Sequence, residues 1–160
     1  MADHGEIPGQ VDAATRRPTI VWAAATALGN PDTTNNIAEF VGLQRLLQHA
    51  HRKKWVGLAV VGDSQLILTM LQQRKLPRAA RLQNLYRNVR RLADLVNVTT
   101  WQHHYRRHNK MADWLANLAM DTKRSQASAP AGGASCSIID DGLKALVSGD
   151  IAHWARTNGQ

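Results

Sequence analysis

Three carboxylates stand where the end of a strand or helix would present them: Glu39 in TTNNIAEF, Asp63 in VVGDSQL and Asp113 in HNKMADWLAN. Glu39 is expected in the first turn of a helix, Asp63 just after an apolar strand, and Asp113 in the first turn of a later helix. Sites in open α/β sheets gather at the carboxyl ends of strands, which puts Asp63 where chemistry is done. Each position also has a plainer reading. Asn36 and Glu39 have capping-box spacing with Asn as the cap, Asp63 could cap the helix after it, and Asp113 could complement a helix dipole. Spacing alone leaves cap and catalyst both open. His103, His104 and His108 do not form a zinc site, because no thiolate or second ligand cluster accompanies them.

A second feature is charge. Arg74, Lys75, Arg78, Arg81, Arg87, Arg90 and Arg91 fall in one stretch with no acidic residue among them. Such a run would neutralise phosphates and make binding weaken as salt rises, and its alternative is a solvated helix face. Across the chain Lys and Arg outnumber Asp and Glu by 20 to 12, a formal charge of +8, which favours polyanionic partners such as nucleic acid.

The elements that must hold these residues follow from periodicity. TIVWAAATAL, from Thr19, reads as a strand ending in the turn GNPD. Ile37, Phe40, Leu43, Leu46, Leu47 and Ala50 recur at intervals of three and four, predicting an amphipathic helix over 37–52. WVGLAVVG suits a strand covered on both faces, and Asp63 and Ser64 offer caps for a helix through QLILTMLQQ. Beyond Pro77, Leu82, Leu85, Val89, Leu92, Ala93 and Val96 mark another helix. VNVTTWQHH is strand-like, and Asn109 can cap a helix through KMADWLANLAMD. Strand, helix, strand, helix, helix, strand, helix is the order of an α/β domain.

Residues 1–18 read as a flexible lead-in, 19–123 as the domain, 124–137 as a low-complexity linker and 138–160 as a tail with one short helix and no assigned chemistry. At 160 residues one domain is expected, and a hydrophobic content of 44% allows it a packed core. No apolar run is long enough to span a membrane, and no signal-peptide core is present. Cys136 is the only cysteine, so no intramolecular disulfide can form. An intracellular monomer is expected, in cytoplasm or nucleus.

Taken together and in order, TTNNIAEF, VVGDSQL and HNKMADWLAN resemble the motifs of the type 1 ribonuclease H domain, in its retroelement branch associated with reverse transcriptases. The resemblance covers about Thr19 to Lys123. It implies a central mixed sheet flanked by helices and hydrolysis of the RNA strand of RNA·DNA hybrids. It also implies a carboxylate site for two magnesium ions, or manganese, held by Glu39, Asp63 and Asp113. Two divalent ions can activate a water and stabilise the leaving oxygen of a phosphodiester, and hard ions prefer carboxylate oxygens. The family often places a histidine before the last helix to assist turnover. Here that residue is His108, with Arg107 behind it, or else a surface histidine near nucleic acid. Thr34, Asn35 and Asn36 match the turn that touches the hybrid, and Ser64 and Gln65 match residues flanking a family carboxylate that reach it. Asn109, Arg78 and Arg81 join the expected contacts. Turn-making and capping are the alternatives for Thr33 and Thr34. Packing is the expected role of Trp101 and Trp114.

The family's first aspartate, on its opening strand, has no secure match. Asp3, in MADHGEIPG, and Asp12, in GQVDAATRR, are the only candidates. The chain is therefore expected to lack the opening strand or strands, with an exposed sheet edge as the consequence. The alternative to an enzyme is a catalytically impaired remnant that only binds nucleic acid.

Overall fold

A computed structural model of the chain describes residues 19–30, 34–129 and 135–158. The lead-in of residues 1–18, with Asp3 and Asp12, and Thr33 lie outside the described residues. The chain is α/β and divides into two units, one spanning Leu28–Tyr105 and the other joining the chain up to Ala27 to the residues from Arg106 onward.

In the Leu28–Tyr105 unit the apolar period becomes helix α1, Asn35–Arg52, which buries Phe40, Leu47 and Ala50. Strand β2, Ala59–Gly62, pairs in parallel with strand β3, Thr100–His103, in the register Ala59↔Thr100 to Gly62↔His103. Parallel strands need a crossover, supplied here by helices α2, Gln65–Gln72, and α3, Ala80–Leu95. Leu82, Tyr86, Val89 and Ala93, spaced by four, three and four, form the buried stripe of α3, which packs on α1. These residues join Phe40, Leu47, Val60, Ile67 and Leu71 in one core.

All three helices of this unit close in the same way. Lys54, Arg74 and Asn97 take left-handed conformations at φ 59°, 55° and 51°. The next amides reach back: Trp55 N–H to Ala50 O at 3.0 Å, Lys75 N–H to Met70 O at 2.8 Å, and Val98 N–H to Ala93 O at 2.9 Å. These are Schellman closures without glycine, and at two of them a cation meets the negative end of the helix. The strand expected from Trp55 narrows to its second half for a related reason. Gly57 turns at φ 74° and donates to Val96 O at 3.0 Å, so the backbone becomes regular only after it.

The other unit draws on both ends of the described chain. Strand β1, Ala23–Ala25, pairs antiparallel with strand β4, Gln126–Ser128, in the register Ala23↔Ser128 to Ala25↔Gln126. The strand expected from Thr19 is thus only three residues long, and the stretch read as a linker supplies its partner. Helix α4, Lys110–Thr122, follows a short 3-10 turn at Arg106–His108. The tail forms two helices where one was expected, α5, Ser137–Lys144, and α6, Val147–Asn158. Ala23, Ile139 and Leu143 are the buried centre of this unit, with Trp114, Leu115 and Leu118 of α4 packed against them. At Gly142 a Cβ would overlap the Trp114 indole, so α4 and α5 touch at a point that only glycine permits. Among the described residues no helix is long and apolar enough to cross a membrane.

Candidate functional site

Glu39 is not where a cap would be. The N-cap of α1 is Thr34, whose extended backbone (φ −89°, ψ 163°) lets its Oγ1 accept from Ile37 N–H at 3.4 Å. Asn36 lies inside the helix, and no acidic residue falls in its first turn. The expected capping box is therefore corrected, because the helix begins ahead of Asn36. Glu39 is exposed, immediately before the fully buried Phe40, so its backbone is fixed by the core while its side chain is reachable. Of the polar turn, Asn35 is exposed and Asn36 and Thr34 are half-buried.

Asp63 directly follows β2, half-buried, as the strand-end reading required. Its carbonyl accepts from His103 Nε2–H at 3.2 Å, a bond from the end of β3 that selects the Nε2–H tautomer. His104 N–H donates to Gly62 O at 2.9 Å, so the two strand ends are tied together at Asp63. Ser64 occupies the N-cap position of α2 but makes no side-chain cap bond, and Gln65 opens the helix exposed to solvent.

Asp113 lies in the first turn of α4, and Arg106 Nε is 3.7 Å from its Oδ1. Asn109 holds the N-cap position without a side-chain cap bond. The carboxylate of Asp150 on α6 does that work instead, accepting from Lys110 N–H at 3.0 Å and Met111 N–H at 2.9 Å. The expectation that Asn109 caps is thereby corrected. His108 stacks on His153 of α6, ring centroids 3.6 Å apart and planes at 4°, and Arg107 Nε–H donates to His108 Nε2 at 3.1 Å. Loss of hydration, then the His153 ring and the Arg107 and Arg156 cations, hold the His108 imidazolium below its ordinary range, against an opposing pull from Asp150.

The basic stretch is less uniform than its sequence suggests. Asp94, three residues past its end, takes Arg74 at 2.7 Å and Arg90 at 2.8 Å. The two guanidiniums hold its carboxyl at about 2, well below the usual range. Arg90 also donates to Leu71 O at 2.6 Å and lies 5.5 Å from the Trp101 ring centre. Two of the seven cations are therefore structural. Arg78, Arg81, Arg87 and Arg91 are exposed. An open cavity of ≈ 450 Å³ is lined by Arg74, Arg90, Thr99, Trp101 and Gln102, among others. Trp101 and Trp114 pack against the two cores.

Glu39 and Asp63 thus belong to one unit, and Asp113, His108 and Asn109 to the other. In donor type the three carboxylates fit a hard divalent ion. In number they fall short within each unit, where the described residues gather no group of three or more His, Cys, Asp or Glu that could hold a metal. Sequence reasoning missed Asp94, Asp150 and His153. Asp94 could have been found from its i,i+4 spacing to Arg90, whereas Asp150 and His153 act across some 40 residues and left no local signal.

No curated protein matches the chain. A family model described as reverse transcriptase-like matches residues 14–119, more than half of the chain and a span that includes Glu39, Asp63 and Asp113, so the chain belongs to that family, a ribonuclease H-like group of retroelement domains.

Proposed function

We propose that the chain is a type 1 ribonuclease H that hydrolyses the RNA strand of RNA·DNA hybrids as an intracellular monomer, with magnesium or manganese as cofactor. The observation that carries this reading is the family match, which encloses Glu39 on α1, Asp63 just after β2 and Asp113 in the first turn of α4. Glu39, Asp63 and Asp113 would hold the metal, which when bound supplies a nucleophile from water and charge stabilisation at the leaving oxygen. The chain's own residues do the rest. Thr34, Asn35, Asn36, Ser64, Gln65 and Asn109 offer short polar groups suited to phosphate, sugar and 2′-hydroxyl contacts. Arg78, Arg81, Arg87 and Arg91 neutralise phosphates, and His108, with Nε2 engaged by Arg107, holds its neutral-form proton at Nδ1.

A second reading, a binder without turnover, is favoured by the absence of a three-ligand group among the described residues of either unit. Cleavage and hybrid binding, measured on the wild type and on Glu39→Gln and Asp63→Asn, separate the two. The hydrolytic reading expects cleavage to fall by about 10²-fold or more in both variants while binding persists. Salt-sensitive binding with no cleavage by the folded wild type under either ion would establish the second reading.

A further inference from the structure

Asp150 is buried, 7% exposed, and a buried carboxylate is costly unless its oxygens are satisfied. Both are. Oδ1 takes Lys110 N–H and Oδ2 takes Met111 N–H, at the positive end of α4, where Asn109 makes no side-chain cap bond. Three residues further along α6, His153 lies flat on His108. The tail helix therefore grips the two consecutive pieces of chain that bear candidate site residues, the 3-10 turn with His108 and the first turn of α4 with Asp113. Asp113 N–H donates to Asn109 O at 3.3 Å, and Arg106, in the same 3-10 turn as His108, pairs with the Asp113 carboxylate. Fixing Lys110 and Met111 thus fixes the turn from which Asp113 extends.

We propose that α6 is a working part of the site, with Asp150 and His153 as positioning residues that set the α4 N-terminus and the His108 ring. The consequence for rate rests on the hydrolytic reading above; the consequence for geometry does not. The charged or titratable groups acting on His108 are Arg107 beside it and Asp150, His153 and Arg156 on α6. Asp150 favours the imidazolium and His153 opposes it, so the two residues have opposite signatures that mere loss of packing would not produce.

The test is amide exchange and imidazole titration by NMR on the full chain, with Asp150→Ala, Asp150→Asn and His153→Phe. Asp150→Ala should speed exchange at Lys110 and Met111 by about tenfold, as expected for loss of a helix cap. Asp150→Asn should lower the His108 midpoint, and His153→Phe, which keeps a flat ring, should raise it. The acidic limb of the hybrid-cleavage profile should move in the same two directions. Unchanged exchange at Lys110 and Met111, or His108 shifts of the same sign in both variants, would overturn the proposal. If Asp150→Ala does not fold, Asp150→Asn and His153→Phe still carry the test. A wild type that cleaves no hybrid would sink the hydrolytic reading alone, since exchange and titration would still decide the positioning role.

Discussion

The two units are built in different ways. The Leu28–Tyr105 unit is a continuous stretch in which α1 is capped locally by Thr34 and all three helices carry their own closures, the Schellman turns at Lys54, Arg74 and Asn97. The other is assembled from segments about 100 residues apart: β1 needs β4, and α4 takes its N-terminal cap from α6 and its packing from α5. Locally closed elements tolerate distant change, whereas borrowed caps and partners make a site depend on residues far from its motifs.

That contrast can be broken most severely at the centre of the first unit. Phe40→Ala empties a fully buried aromatic position and should cost about 3–5 kcal/mol in denaturant unfolding. In the second unit the largest lever is an addition. Gly142→Ala, which drives a methyl into the Trp114 indole, should cost about 1–3 kcal/mol, with faster amide exchange in α4 and α5. A lack of effect at Gly142 would mean that α4 and α5 are not packed as described.

Two smaller effects sharpen the first unit's self-sufficiency. Burial of His49, with Arg52 and Lys53 nearby, depresses its imidazolium below the ordinary 6.5, and its ring meets Trp55 edge-on at 5.3 Å. A lowered folded value means that this contribution to stability is complete above 6.5 and is lost as pH falls through the depressed value. Stability measured between about pH 7 and 5 should therefore decline on acidification, and His49→Phe should flatten the slope. Lys54→Gly relieves a left-handed lysine and should raise stability by roughly 0.5–1 kcal/mol, read as a small upward shift in melting temperature.

What was legible in the sequence follows the same division. The apolar period from Ile37 to Ala50 placed α1 nearly to its ends, and the stripe Leu82, Val89, Ala93 placed α3, because both are dictated by neighbours three and four residues away. Asp63 at the end of β2 was legible for the same reason. Gln126–Ser128 was not, since QAS has no strand character of its own and is a strand only by pairing with Ala23–Ala25. The cap on α4 was misassigned to Asn109 because the true acceptor, Asp150, lies 40 residues on. For Glu39 the spacing to Asn36 left cap and catalyst both open, and only the start of α1 at Thr34 shows that Asn36 is not the N-cap.

The proposed hydrolysis of the RNA strand in a hybrid is open to a direct test. The most direct measurement is product mapping with matched RNA·DNA, double-stranded RNA and double-stranded DNA, each strand labelled in turn, with magnesium, manganese or a chelator. Cuts are expected in the RNA strand of the hybrid alone, abolished by the chelator and by Asp63→Asn. Intact hybrid after incubation with folded, hybrid-bound protein under both ions, or cleavage unchanged in Asp63→Asn, would contradict it.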